Sequence, residues 1–380
     1  DILTKTNDDP LSGGESEIRV IISISNPPAS GYETIVIKPI TDFSICNYHG
    51  NRLSLSDSTD EITLIDHLAP TITAVSITNT TIVGNSLHGD IEFIASEGIF
   101  SNASGTGSIN AENFNLAFYQ NNGNATDAII GEVSNFYQGD LTGGEDTVLI
   151  GFETERLPSG TEEFAISPAT SNSIFDPAGN PMTQTTISER LTLPDRLPPE
   201  FVPGSASISS DNSYVIFTLT EGVYGDWETT TPAEPSDFFV EFIPNDDDAT
   251  ATGANVDYIT NSRQFPLVGG EDTLRCYLNI QGTPSGHERL FIRAADDSLL
   301  YDASRNPLPP MDRSIVTERL IWSPDKATDT LQLFDQLVPT EDTISIDHGS
   351  DISSSIESPI AITFSEPIQS FGYTVSARHY

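Results

Sequence analysis

The sequence predicts an all-β chain of tandem β-sandwich domains arranged in a line. One phrase occurs three times, as LSGGESE at 11–17, LTGGEDT at 141–147 and LVGGEDT at 267–273. Each is followed by residues that alternate apolar and polar, the period of a half-buried strand. Gly, Pro, Asn and Asp punctuate the chain at short intervals with no helical periodicity between them, the pattern of two antiparallel sheets packed face to face.

The elements recur in a fixed order. After the glycines come EIRVIISIS (17–25), TVLIGF (147–152) and TLRCYLNI (273–280). Aligned on the glycines, Ile18, Val20 and Ile22 match Val148, Ile150 and Phe152, and Leu274, Cys276 and Leu278. Cys276 thus fills an apolar slot, where a buried thiol behaves as a small hydrophobe. Next, PASGYETIVI (28–37), PSGTEEFAI (158–166) and PSGHERLFI (284–292) read as a Pro/Gly turn feeding a strand. SICNYHGN (44–51), SIFDPAGN (173–180) and LLYDASRN (299–306) read as a strand end entering an Asx-type turn. EITLID (61–66), RLTLPD (190–195) and TLQLFD (330–335) close each unit with a further strand.

Each unit then enters a five-residue hinge: DHLAP (66–70), DRLPP (195–199) or DQLVP (335–339). Proline fixes φ and removes a donor, so the hinge marks a domain boundary. The hinge aspartates lie 129 and then 140 positions apart. Two full units follow, 67–195 and 196–335, each with about seven strands, the second with an insert near 318–327. Residues 1–66 hold only the later strands of a unit and 336–380 only the early ones, so both flanks are half-domains. The chain reads either as a piece of a longer array, cut at one polar loop, or as a subunit whose halves complete each other.

FSEPI (364–368), FDPAGNPM (175–182) and DHLAPTI (66–72) occur in the order found in the bacterial Ig-like repeats of large cell-surface and adhesin proteins, which the chain resembles along essentially its whole length. The resemblance implies Ig-like sandwiches and an extracellular or cell-surface location. The sequence departs from the pattern at SEG (96–98), TEG (220–222) and DASRN (302–306), and its units exceed the roughly 100 residues usual for the fold.

Charge narrows the partners. Asp and Glu number 56 against 16 Lys and Arg, a formal net charge of −40. Nucleic acid and anionic membranes require a basic footprint that this chain lacks. No apolar run approaches the length of a membrane span. Cys46 and Cys276 occupy different places in their units and do not read as a disulfide framework. Six scattered histidines show no metal-ligand spacing, and neither a nucleophile elbow nor a P-loop occurs. The chain therefore reads as a non-enzyme.

Calcium is the one ligand the sequence brings forward, since it takes six to eight oxygen ligands. Hinge residues Asp66, Asp195 and Asp335 recur at each junction, and Glu97, Glu221 and Glu366 follow the hinge prolines by 27, 22 and 27 positions. A hinge carboxylate and a loop carboxylate could share an ion. The competing reading has the aspartates capping turns and the glutamates solvated. Asp176 and Asn180 read as turn formers, and NDDDAT (245–250) as a solvated loop tip. Asn79, Asn102 and Asn124 lie in glycosylation sequons.

Three functional readings follow. The first is a spacer or scaffold segment of an extracellular stalk or adhesin, with neighbouring repeats as its partners. The second is a filament or sheath subunit joined head to tail to identical chains by strand complementation. The third is a carbohydrate-binding module of a secreted enzyme, which would bind surface glycans. The third needs clustered exposed aromatics, whereas Trp227 and Trp322 stand alone near inserts.

Overall fold

Two sheets built from alternating apolar residues carry the architecture. The computed structural model describes residues 2–5, 7–24, 27–295, 300–309, 326–339, 341–346 and 360–364. It divides into two units, Asp1–Leu197 and Pro198–Tyr380. Every sheet among the described residues is antiparallel.

In the first unit, β1 (Ile2–Thr4) pairs with β2 (Ile18–Val20), and β3 (Thr34–Ile35) with β4 (Ile62–Thr63). Seven further strands follow: β5 (Ile72–Val83), β6 (Ser86–Ile99), β7 (Phe114–Tyr119), β8 (Asp127–Asn135), β9 (Glu145–Glu155), β10 (Glu163–Pro168) and β11 (Leu191–Thr192). They form one sheet of order β5-β6-β9-β8 and another of order β11-β10-β7. The two sheets share a core. Leu87, Ile91 and Phe93 of β6 and Val148, Ile150 and Phe152 of β9 meet Phe114 of β7 and Phe164 and Ile166 of β10. Period-two alternation puts these side chains on one face, and each fully buried one contributes about 1.5–3 kcal/mol.

The second unit repeats this order. Its strands are β12 (Ser207–Ile208), β13 (Tyr214–Val223), β14 (Phe238–Pro244), β15 (Gly253–Asn261), β16 (Glu271–Gln281), β17 (Glu288–Ala294) and β18 (Leu331–Gln332). The sheets run β12-β13-β16-β15 and β14-β17-β18, around Phe217, Phe238, Leu274, Cys276, Leu290 and Ile292. Strand β19 (Glu341–Ile346) pairs antiparallel with β20 (Ile360–Phe364). Of the expected insert, 318–325 lies outside the described residues.

The recurring GGE phrase has a structural cause. Gly143 and Gly144 have φ of 93° and 89°, a region that favours glycine. The carboxylate of Glu145 then accepts the N–H groups of Thr142 (2.7 Å) and Gly143 (2.9 Å), closing the turn before β9. Glu271 does the same for Val268 (2.8 Å) and Gly269 (2.9 Å), and Glu15 for Ser12 and Gly13. The turn packs tightly against the bulge of β6. A Cβ placed on Gly98 would lie 2.4 Å from the Gly144 carbonyl oxygen, and one on Gly222 would lie 2.1 Å from that of Gly270.

Some elements are shorter than the sequence suggests. The strand expected at 61–66 narrows to Ile62–Thr63, because the chain turns into the Asp66 hinge. The stretches at 44–51, 173–180 and 299–306 form isolated bridges around their turns, Cys46 to Arg52, Phe175 to Pro181 and Tyr301 to Pro307, and Phe175 and Tyr301 also bridge Phe100 and Tyr224.

Candidate metal centre

The hinge fixes the first candidate ligand. Asp66 Oδ1 accepts the Leu68 N–H at 2.8 Å, which turns the chain. Asp195 and Asp335 hold the Leu197 and Leu337 N–H groups in the same way, at 3.0 and 2.8 Å. The turn-capping role expected as the competing reading is therefore present at all three. The glycine of each PSG or ASG turn makes room: a Cβ on Gly31, Gly160 or Gly286 would lie 3.2, 3.0 or 3.3 Å from the Cβ of the hinge aspartate.

The second candidate ligand stands on a strand. Glu97 lies near the end of β6, within a register shift between Ile94 and Ile99 against β9. Such a bulge re-aims a side chain. The third candidate ligand comes from a turn. Asp176 is fully buried, its Oδ1 accepting the Asn180 N–H (2.8 Å) and its Oδ2 the Asn180 side-chain amide (2.7 Å). The same amide reaches back to the Asp66 carbonyl oxygen at 3.3 Å.

One carboxylate oxygen from each of Asp66, Glu97 and Asp176 lies within 4.8 Å of the others. Among the described residues, no Lys or Arg forms an ion pair with any of the three. Burial, reinforced by the charges of Asp176 and Asp66, pushes the Glu97 carboxyl up to about 7. The donor set is all oxygen, which suits a hard divalent cation such as calcium and disfavours metals that select sulfur or imidazole. Three carboxylates supply part of the six to eight oxygens calcium takes, leaving room for water or carbonyl ligands.

The second unit brings the corresponding pair together. The Glu221 and Asp302 carboxylates come within 4.8 Å, and Asp302 is buried and bonded to Asn306. Glu366 lies outside the described residues. In the first segment the turn position holds a neutral amide: Asn47 Oδ1 accepts the His49 and Asn51 N–H groups, each at 3.0 Å.

Sequence reasoning named Asp66 and Glu97 but gave Asp176 only a turn. The turn is real, and it also delivers the carboxylate. It likewise left His287 without a partner, whereas the fold sets His287 Nδ1 2.8 Å from Asp246 Oδ2, with Asp248 beside them on the surface. That hydrogen bond and the Asp246 charge raise the His287 imidazole.

The sequon asparagines differ in setting. Asn79 is exposed and donates to Asp90 Oδ2, while Asn102 closes a turn through Ser104. The amide nitrogen of Asn124 is tied to the Leu157 carbonyl at 2.8 Å. Cys276 is buried in β16 and Cys46 is exposed, and both are free thiols. No helix among the described residues is long and apolar enough to cross a membrane. Comparison with known protein families, with curated proteins and with solved structures returns no match to this chain.

Proposed function

We propose that this chain is a segment of an extracellular array of tandem Ig-like sandwiches, a spacer whose junctions are stiffened by calcium. It acts as a scaffold rather than an enzyme, and its partners are neighbouring units. The observation that carries the reading is the convergence of Asp66, Glu97 and Asp176. Asp66 belongs to the hinge before the sandwich, Glu97 to its second strand and Asp176 to its late turn. A cation held by all three ties the hinge to the sandwich that follows. Without one, the like charges of Asp176 and Asp66 repel Glu97, adding to the burial that raises its carboxyl. The same strand order in both units supports the tandem reading, and the net charge of −40 suits a chain that collects cations and repels its neighbours.

Thermal unfolding in chelator and in millimolar calcium tests this reading. A ligand at 100 times its Kd stabilises by about 2.7 kcal/mol. For a unit of about 200 residues that raises the midpoint by roughly 5–11 °C. An unchanged midpoint would remove calcium from the account.

A further inference from the structure

The sandwich of β5 to β11 carries an open groove on the outer face of its larger sheet. Glu92 lies between the buried Ile91 and Phe93 of β6, so alternation turns it away from the core. Beside it the turn from β8 to β9 raises two aromatic rings, Phe136 and Tyr137, which are 55% and 88% exposed. Their centroids are 5.6 Å apart, with an interplanar angle of 85°. Two adjoining hollows of about 630 and 470 Å³ share Glu92, Phe136 and Tyr137. Glu145 and Asp146 line the first hollow and Leu149 the second.

The turn does not need these rings. Asn135 Oδ1 builds it by accepting the Tyr137 and Gly139 N–H groups at 2.9 and 3.0 Å. In the second unit Asn261 Oδ1 accepts the Arg263 and Phe265 N–H groups at 3.0 and 3.1 Å. Gln138 and Gln264 follow with φ of 60° and 67°. Ser262 and Arg263 there take the places of Phe136 and Tyr137. The same backbone thus forms with and without the aromatic pair. Two neighbouring rings held in water, with no part in building their turn, mark a contact surface.

The chain itself shows what a ring beside a carboxylate holds. The Arg190 guanidinium carbon lies 3.8 Å from the Tyr119 ring centroid, and Arg190 pairs with Glu163 at 3.1 Å. That of Arg293 lies 4.4 Å from the Phe239 centroid, and Arg293 pairs with Glu241 at 3.0 Å. Arg52 and Arg305 likewise cover the exposed rings of Phe43 and Trp227. Among the described residues, no Lys or Arg lies over Phe136 or Tyr137, and none pairs with Glu92, Glu145 or Asp146. The groove combines two rings with three carboxylates and has no base in its lining. We propose that it docks an arginine-bearing segment of a second, basic polypeptide, with a guanidinium stacked on the Phe136–Tyr137 pair beside Glu92. Charge complementarity favours that occupant, since the net charge of −40 draws a basic partner toward the groove.

Fluorescence anisotropy of a dye-labelled tetra-arginine peptide tests the docking, with the full chain in chelator so that calcium plays no part. Salt at about 0.15 M, where the Debye length is about 8 Å, damps the diffuse pull of the −40 charge. Wild type should bind the peptide saturably. The double variant Phe136→Ser, Tyr137→Ser keeps the net charge and should weaken binding by about tenfold or more. Its thermal midpoint should match that of wild type, because both rings are exposed and the second unit builds the same turn with Ser262. Glu92→Gln removes one charge among many and should weaken binding about threefold. No saturable binding by wild type, or equal affinity in the ring variant, would overturn the docking and leave only diffuse charge. A neutral gluco-oligosaccharide serves as counter-probe. If it bound at these rings and the peptide did not, the arginine assignment would fall to a glycan.

Discussion

Replacing Glu97 by Gln should stabilise the calcium-free protein at high pH, although it removes a side chain from the candidate centre. In the folded state the Glu97 carboxyl is raised from its ordinary 4.5 to about 7, by burial first and then by Asp176 and Asp66. A raised carboxyl means that folding favours the protonated form. Its stabilising contribution is complete below pH 4.5 and is lost as pH rises through about 7. At about 1.36 kcal/mol per pH unit the difference is about 3 kcal/mol. Glu97 is half-exposed, and solvent screening reduces this to about 1–2 kcal/mol. The assay is urea unfolding in chelator at pH 5 and pH 8 for wild type and Glu97→Gln, read as the difference between the proteins so that other titrating groups cancel. Wild type should lose about 1–2 kcal/mol more than the variant over this range. At pH 8 the variant should be the more stable without calcium and the less responsive to it. A variant that is destabilised at pH 8 in chelator, or that keeps the wild-type pH slope, refutes the electrostatic argument.

Three further outcomes follow from packing. Gly98→Ala would force a Cβ to 2.4 Å from the Gly144 carbonyl oxygen, so it should cost at least about 1–3 kcal/mol in denaturant unfolding. Ile166→Ala empties a fully buried site between the sheets and should cost about 2–5 kcal/mol, whereas Ile37→Ala at the exposed counterpart should cost little in the single chain. A thiol reagent should label only Cys46 in the native protein and both cysteines after unfolding, since Cys276 is buried and its thiol is pushed up by desolvation. Labelling of both thiols in the native state would contradict the packing of β16.

Much of the fold was legible because local rules suffice for it. Alternation placed β9, β10, β16 and β17, and proline and glycine placed the turns between them. The hinge aspartates and the bulge glutamates were legible as a recurring set. Asp176 was not, because its bonds to Asn180 already account for an aspartate in that turn. Its second role arises only when the late turn folds back beside the hinge, an approach marked by the Asn180 bond to the Asp66 carbonyl across 114 positions. The pairing of His287 with Asp246 spans 41 positions between two loops, and spacing alone carries no trace of it. The glutamate of the GGE phrase was visible as a recurrence, but its purpose emerged only with the N–H groups it accepts.

The most direct test of the central claim is calorimetric titration of calcium into wild type and Asp176→Asn at pH 8. The variant keeps the backbone bond of the turn, since Asn47 Oδ1 already accepts the corresponding Asn51 N–H. It removes one of the three charges that would hold the ion. Wild type is expected to show a binding event that is lost or weakened at least tenfold in Asp176→Asn. Superimposable isotherms would contradict it and leave the three carboxylates without a metal to hold.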